Sequence, residues 1–379
     1  MCRAEVVVRC RLRSADDEMS TPTPRGVSAV GRGLLARKVA RPPQASRARA
    51  PALRASFAMF TIREIPGACL GVEVVGSFDL RSASAADVAA AVDAMHRRGR
   101  GVLVFRDQHL TPADLESACA KLAAHFVGQQ PYTRWPGQSK PIPGCPHLAL
   151  LGNYEARRDG EFGMDVVRGE TIGEFKPATD AIEEWHTDGS FLENPKVAIA
   201  LYAPQVPDAL PPPGAGGETR FASCAAAFEK MSDAEKEDAE ALDAVHSWEL
   251  FMRLLERRDP DRPKVTAEEI AAKPDQTWPL VRRHPVTDAK SVYVNPKNTR
   301  AVVRRDSGAS LAPDAAKTLV ETLGRRVVDS GVYAHEWRMG DFVIWDNRVL
   351  LHAASPFDAE AHQRLLFRME FKGEPVLGP

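Results

Sequence analysis

Beyond Gly128 the chain is a succession of short apolar runs cut by turns rich in Pro and Gly: HLALLGN, KVAIALYA, GETRFAS, SVYVNP, DFVIWDN and LLFRMEF. Runs of this length between turn signals read as strands. Several of them at such intervals predict an antiparallel sandwich or jelly roll. Helical patterns precede and interrupt the series, so the expected class is α+β, a jelly-roll core with flanking helices. SAADVAAAVDAMHRRG sets Val88, Val92 and Met95 at helical spacing and stops at Gly99. TPADLESACAKLAAHF opens on Thr111 as N-cap, with Pro112 in the first turn and Asp114 at the third position, and offers Leu115, Leu122 and Phe126 as its inner face. SDAEKEDAEALDAV predicts another capped helix, from Ser232 and Glu235, and APDAAKTLVETLGRRVVDSG an amphipathic one. CLGVEVVGSFDL and GVLVF read as strands, and residues 204–217, PQVPDALPPPGAGG, as a rim loop.

Residues 1–58 have another character. No acidic residue appears between Glu18 and Glu64, while Arg25, Arg32, Arg37, Arg41, Arg47, Arg49 and Arg54 stand among Ala, Ser and Pro. The expectation is a disordered leader without chemistry: an organellar transit peptide, or codons upstream of a start at Met19 or Met59. Residues 59–379 are then the folded domain. The compartment follows the same division: cytoplasmic, or plastid or mitochondrion if the leader is a transit peptide.

The net charge of −1 over 379 residues gives no general pull toward nucleic acid or membranes. No basic aromatic stripe marks a nucleic-acid surface, and no apolar run reaches the ~18 residues of a membrane span. The cysteines, Cys2, Cys10, Cys69, Cys119, Cys145 and Cys224, make no CxxC pair. That argues against a zinc ribbon or a disulfide framework. No phosphate-binding glycine loop is present. The expected partner is a small-molecule substrate, with a homo-oligomer left open.

EEWHTDGSF, residues 183–191, carries the chemistry. In an extended segment i and i+2 share a face, so His186 and Asp188 point the same way. An imidazole and a carboxylate so placed can take adjacent positions on one metal. A third ligand leaves half of an octahedron open, the 2-His-1-carboxylate pattern of non-haem Fe(II) oxygenases. HxD alone is weak, and a hydrogen-bonded turn is its ordinary reading. Trp185 and Phe191 add apolar surface around it. His96 and His125 at helix ends, His109, His147 and His362 in turns, His246 at the end of a helix, and His284 before a proline all read as structural; His335 reads as packed. His352, after GDFVIWDNRVLL, stands at a strand end in the core and is the candidate third ligand.

A 2-oxoacid dicarboxylate chelating such an iron needs a buried cation for its far carboxylate, and arginine supplies a planar fork. Arg364 and Arg368, in HQRLLFRMEF, share one strand face. Thr219 in GGETRF offers a hydroxyl, although a plain strand threonine is its simpler reading.

The ordered set WHTDGSF, GGETRF, WDNRVLLH and RLLFR resembles the taurine dioxygenase and 2,4-dichlorophenoxyacetate dioxygenase family, Fe(II)- and 2-oxoglutarate-dependent oxygenases. GACLGVEVVGSFDL, GVLVFRDQHLTPADL and HPVTDAKSVYVNP extend the likeness over roughly Phe60 to Glu374. The resemblance implies a double-stranded β-helix. It implies His186, Asp188 and His352 as iron ligands, Thr219 and Arg364 on the distal carboxylate of 2-oxoglutarate, and Arg368 on an anionic group of the substrate. The stretch after His352 is one residue longer than in the taurine enzymes, which leaves open which arginine holds 2-oxoglutarate. The implied reaction is O2-dependent hydroxylation of a small anionic molecule, taurine- or sulfonate-like or an aryloxyacid, with release of succinate and CO2. The alternatives are hydroxylation or desaturation of an amino acid or betaine, and a metal-binding β-sandwich that is not an oxygenase.

Overall fold

Most helices begin where the sequence supplies a side-chain cap; Pro313–Asp329 begins instead on a proline in its first turn. Ser84 and Asp87 form a reciprocal capping box at helix Ala85–Arg97, as do Thr111 and Asp114 at Pro112–Ala123 and Ser232 and Glu235 at Asp233–Glu240. Each side-chain cap contributes about 1 kcal/mol. The computed structural model describes residues 60–126, 142–173, 178–207, 217–373 and 376–379. The leader, residues 1–58, and residues 208–216 of the rim loop lie outside the described residues.

Strands Phe60–Glu64, Val72–Gly76, Val102–Phe105, Phe342–Asp346, Ala198–Gln205, Leu365–Phe371 and Ala149–Gly152 form a seven-stranded major sheet in that spatial order. All its pairings are antiparallel except that of Val72–Gly76 with Val102–Phe105. A minor sheet runs Val332–His335, Thr219–Ser223, Leu350–Ala354, all antiparallel. Side-chain alternation sorts the core into layers. On one face of the major sheet, Leu103, Phe105, Ile344, Phe367 and Phe371 pack with Val88, Met95, Leu115 and Leu122 of the first two helices. On its other face Val104, Ile199, Val343, Trp345 and Leu366 meet Phe221, Tyr333 and Leu350 of the minor sheet. Behind the minor sheet, Ala222, Leu351 and Ala353 pack on Val320, Leu323 and Val327 of helix Pro313–Asp329. The mixed class expected from the sequence is present, and two facing sheets leave an interior in which a site can be mounted.

Three local expectations need correction. The helix from Ser232 ends at Glu240, and Leu242–His246 is a strand. Leu242, Ala244 and His246 alternate inward, and the strand is paired on both sides, by Gln276–Pro279 and Thr299–Arg304. Pairing across the sheet outweighs helix propensity here, so His246 ends a strand. The segment from His186 to Asp188 is not a strand. His186 makes one antiparallel bridge to His352, and the chain then turns. Gly189 sits at φ +64°, which favours glycine in that turn. Finally, His352 lies within strand Leu350–Ala354, opposite Phe221, and not at its end.

Candidate metal centre

Strand Leu350–Ala354, which carries His352, and three further chain segments deliver the charged and ligating groups to the space between the sheets. The first is the turn after His186. It docks beside strand Leu350–Ala354 through paired backbone bonds, His186 N–H to His352 O at 3.0 Å and His352 N–H to His186 O at 2.9 Å. That bridge sets the two imidazoles side by side, with ring centroids 4.4 Å apart. Asp188 closes the group. Its Oδ1 is 3.6 Å from His186 Nε2, and its Oδ2 is 3.4 Å from His352 Nε2. One ligand atom from each of the three residues falls within 4.8 Å of the others.

Protonation suits a metal. The Glu184 carbonyl lies 2.6 Å from His186 Nδ1, so that nitrogen carries the proton and Nε2 keeps its lone pair. Burial holds the His186 imidazole well below its usual range, with Lys297 and His352 adding to the effect. For Asp188 burial works upward, but the Arg368 guanidinium and the two imidazoles hold the carboxyl well below the usual carboxylate range. A carboxylate and an available imidazole nitrogen converge, with His352 Nε2 turned to the same point; the donor set fits a borderline divalent ion.

The aromatic surface is arranged differently from the expectation. Trp185 packs in the core behind the minor sheet, and Phe191 stacks on Phe251 at 5.5 Å. The ring against the ligands is Trp345, 4.9 Å from that of His352.

The second segment is strand Leu365–Phe371. Arg368 alternates with Leu366, whose side chain lies in the core between the sheets, and Arg364 stands just before the strand, ahead of a register irregularity between Leu365 and Phe367. Arg368 Nη2 donates to Asp188 Oδ2 at 2.7 Å. Glu370, next on that face, lies 2.7 Å from the same nitrogen, and Lys196 is 2.5 Å from its other oxygen. Neither Glu370 nor Lys196 was singled out in the sequence. The signal for Glu370 was strand alternation continued one step past Arg368; Lys196 had none.

The third segment is strand Thr219–Ser223. Arg364 Nη1 donates to Gly217 O at 2.6 Å, two residues before Thr219, and the guanidinium lies over Phe357 at 4.6 Å. Burial pushes Arg364 down to about 10, with Glu218 opposing. Thr219 Oγ1 accepts from Trp337 Nε1 at 3.1 Å. Among the described residues nothing accepts the Thr219 proton, which leaves it for an incoming oxygen.

A second acid–histidine cluster, His96, His284 and Asp346, is buried, and two of its three members are committed to hydrogen bonds. The N–H groups of Val286 and Thr287 both donate to His284 Nδ1, so Nε2 carries the proton and donates it to Asp346 at 2.8 Å. Arg348 takes both oxygens of the same carboxylate, at 2.9 and 2.6 Å. His96 makes no hydrogen bond, and its Nδ1 lies 3.3 Å from the same carboxylate. Asp346 and Arg348 form a structural ion pair to which His284 is bound, and the His96 ring packs edge-on against Phe126. His335 likewise packs between Tyr333 and Asp341.

Residues 61–369 match the family described as taurine catabolism dioxygenase TauD, TfdA family. The chain belongs to the TauD/TfdA family. An α-ketoglutarate-dependent 2,4-dichlorophenoxyacetate dioxygenase of Burkholderia sp. (strain RASC) is 29% identical over 267 residues, covering 70% of this chain and 80% of that protein. An (S)-phenoxypropionate/α-ketoglutarate dioxygenase of Sphingobium herbicidovorans is 27% identical over 73% of this chain and 83% of its own. In fold, the chain is similar to a putative α-ketoglutarate-dependent taurine dioxygenase from Burkholderia xenovorans, with a TM-score of 0.61 and 22% identity over 84% of this chain and 92% of the other. It is also similar to AAD-2 in complex with Mn(II) and N-oxalylglycine, with a TM-score of 0.59 and 23% identity over 84% and 100%. No described helix of this TauD/TfdA member is long and apolar enough to cross a membrane.

Proposed function

We propose that this TauD/TfdA protein is an Fe(II)- and 2-oxoglutarate-dependent dioxygenase that hydroxylates a small organic anion. The reading also takes the facing major and minor sheets as the two halves of a double-stranded β-helix. The observation that carries the functional assignment is the convergence of His186, Asp188 and His352 beside Arg368, whose guanidinium touches the Asp188 carboxylate. Iron, 2-oxoglutarate and O2 together supply the chemistry: substrate C–H, 2-oxoglutarate and O2 become substrate C–OH, succinate and CO2.

The chain's own residues position and shield. His186, Asp188 and His352 hold the ion on one side. Arg364 and Thr219 receive the far carboxylate of 2-oxoglutarate, Arg364 through its fork and Thr219 through its unspent proton. Arg368 faces the reacting centre and binds the anionic group of the substrate. Its own charge is set against Asp188 and Glu370, and Glu370 is in turn neutralised by Lys196. Among these four side chains the charges cancel. The ferrous ion then adds two positive charges, and the carboxylate of 2-oxoglutarate that lies at the metal removes one. A monoanionic substrate balances the remainder. Leu366, Trp345 and Phe221 line the interior between the sheets and keep water from it.

The named relatives act on 2,4-dichlorophenoxyacetate and phenoxypropionate, and a further relative from Pseudomonas putida on sulfate esters. Aryloxyacids, sulfonates and sulfate esters are therefore the anions to try. The test is succinate release by anaerobically reconstituted Fe(II) protein against a panel of such anions. One or more should raise succinate output in an O2-dependent way that stops on chelation. Succinate release that no anion stimulates, while a betaine or an amino acid does, would refute the substrate class.

A further inference from the structure

The turn that carries the metal carboxylate is held by one side chain outside the ligand set. Asn347 follows strand Phe342–Asp346, at the corner where the chain leaves the major sheet and enters strand Leu350–Ala354 of the minor sheet. It is 1% exposed. Asn347 Oδ1 accepts from the Asp188 N–H at 2.9 Å, and Nδ2 donates to Asp188 O at 2.8 Å and to Lys196 O at 2.9 Å. Its backbone carbonyl accepts from Thr187 Oγ1 at 2.6 Å, and its N–H donates to Val197 O at 2.9 Å. Every hydrogen-bonding group of the residue is used, and every bond ends on the segment 187–197. The amide orientation is fixed by its partners, because an N–H group needs the oxygen and two carbonyls need the nitrogen.

We infer that Asn347 is a positioning residue for the metal site: it sets the Asp188 carboxylate against the imidazole of His352, five residues further along its own chain. The inference rests on the metal assignment above and adds the device that aligns the ligands before an ion arrives. Ligand pairs from separate segments drift unless something spans them. Here the backbone of Asp188 is gripped on both its N–H and its C=O from the corner that leads into the His352 strand, so the two ligand-bearing segments share one reference point. No other side chain of this length combines an acceptor with two donors. Aspartate would turn a carboxylate onto two carbonyls, and leucine would leave the Asp188 N–H and the two carbonyls buried without partners. Outer groups that orient metal ligands change metal affinity about 10- to 100-fold when removed.

The experiment compares wild type, Asn347→Ala and Thr187→Val as metal-free proteins. Each is titrated anaerobically with Co(II) while the visible d–d bands are followed, and the thermal midpoint of each apo protein is recorded. Wild type should take one Co(II) per chain. Asn347→Ala should bind Co(II) about 10- to 100-fold more weakly, with altered bands. Thr187→Val, which loses only the bond to the Asn347 carbonyl, should bind roughly fivefold more weakly while remaining folded. A purely structural role would lower the thermal midpoint and leave Co(II) affinity and bands of the folded protein unchanged; that result overturns the inference. If Asn347→Ala does not fold, Thr187→Val decides, and unchanged Co(II) affinity in it is equally fatal. Absence of Co(II) binding by wild type removes the metal assignment itself, and the role of Asn347 with it, a pattern distinct from an affinity that the variants fail to change.

Discussion

Arg368 Nη2 lies 2.7 Å from Asp188 Oδ2, the same oxygen that stands 3.4 Å from His352 Nε2. A cation is thus in direct contact with the carboxylate proposed to hold the metal. Glu370 touches the same guanidinium nitrogen. The Arg368 position is consequently determined before substrate enters, which lowers the cost of binding an anion there.

Replacing Arg368 by Met should therefore affect the prime substrate most. Loss of a charge-assisted hydrogen bond of about 1.5–3 kcal/mol predicts roughly a 10- to 150-fold lower kcat/KM for the anionic substrate. Unstimulated decarboxylation of 2-oxoglutarate should survive. The measurement is succinate production with and without the prime substrate, over a range of its concentration.

Arg364 should separate cleanly from Arg368. Arg364→Met is expected to raise the KM for 2-oxoglutarate by about two orders of magnitude, while kcat at saturation changes little, since the interaction is with a part of the molecule that does not react. Thr219→Val, which removes a single neutral donor, should raise it about fivefold. Equal effects of Arg364→Met on 2-oxoglutarate and on the prime substrate would reassign the two arginines.

The Asp346 cluster makes an opposite prediction about metal. Asp346→Asn leaves the Arg348 guanidinium buried without its carboxylate and should cost about 3–5 kcal/mol in urea unfolding. The metal content should stay at one ion per chain in both proteins, measured by elemental analysis after dialysis. A second equivalent lost in the variant would show that His96, His284 and Asp346 do bind metal.

Acid should destabilise the fold through His246. Burial lowers this side chain to about 4, with Asn298 opposing, against about 6.5 in an unfolded chain. Between these values the unfolded state holds the proton and the folded state does not. The contribution is complete above about pH 6.5 and is lost as pH falls toward 4, a loss of roughly 3 kcal/mol. Urea unfolding of wild type across that window should show the decline, and His246→Gln should be flatter.

The sequence made the outline of this site legible because its parts are periodic or local. Strand alternation pointed to Arg364 and Arg368 together, and capping boxes located the starts of helices Pro112–Ala123 and Asp233–Glu240. HxD indicated a ligand pair, but the pair is presented by a bridge and a turn, because the turn is shaped by Asn347 from 159 residues away. Such a bond leaves no periodic trace. The same holds for Lys196 with Glu370 and for His284 with Asp346: each is a long-range partnership between buried polar groups, and the neighbours of neither member announce it. Where local propensity and long-range pairing disagreed, as after Glu240, pairing prevailed.

Thr219 belongs to the minor sheet and Arg364 stands at the threshold of a major-sheet strand. A dicarboxylate gripped by both would rivet the two layers together for the length of one turnover and release them when succinate departs. Breathing between the layers would then follow the catalytic cycle: an opening wide enough to admit fresh co-substrate would also be one that loosens the mount of His352.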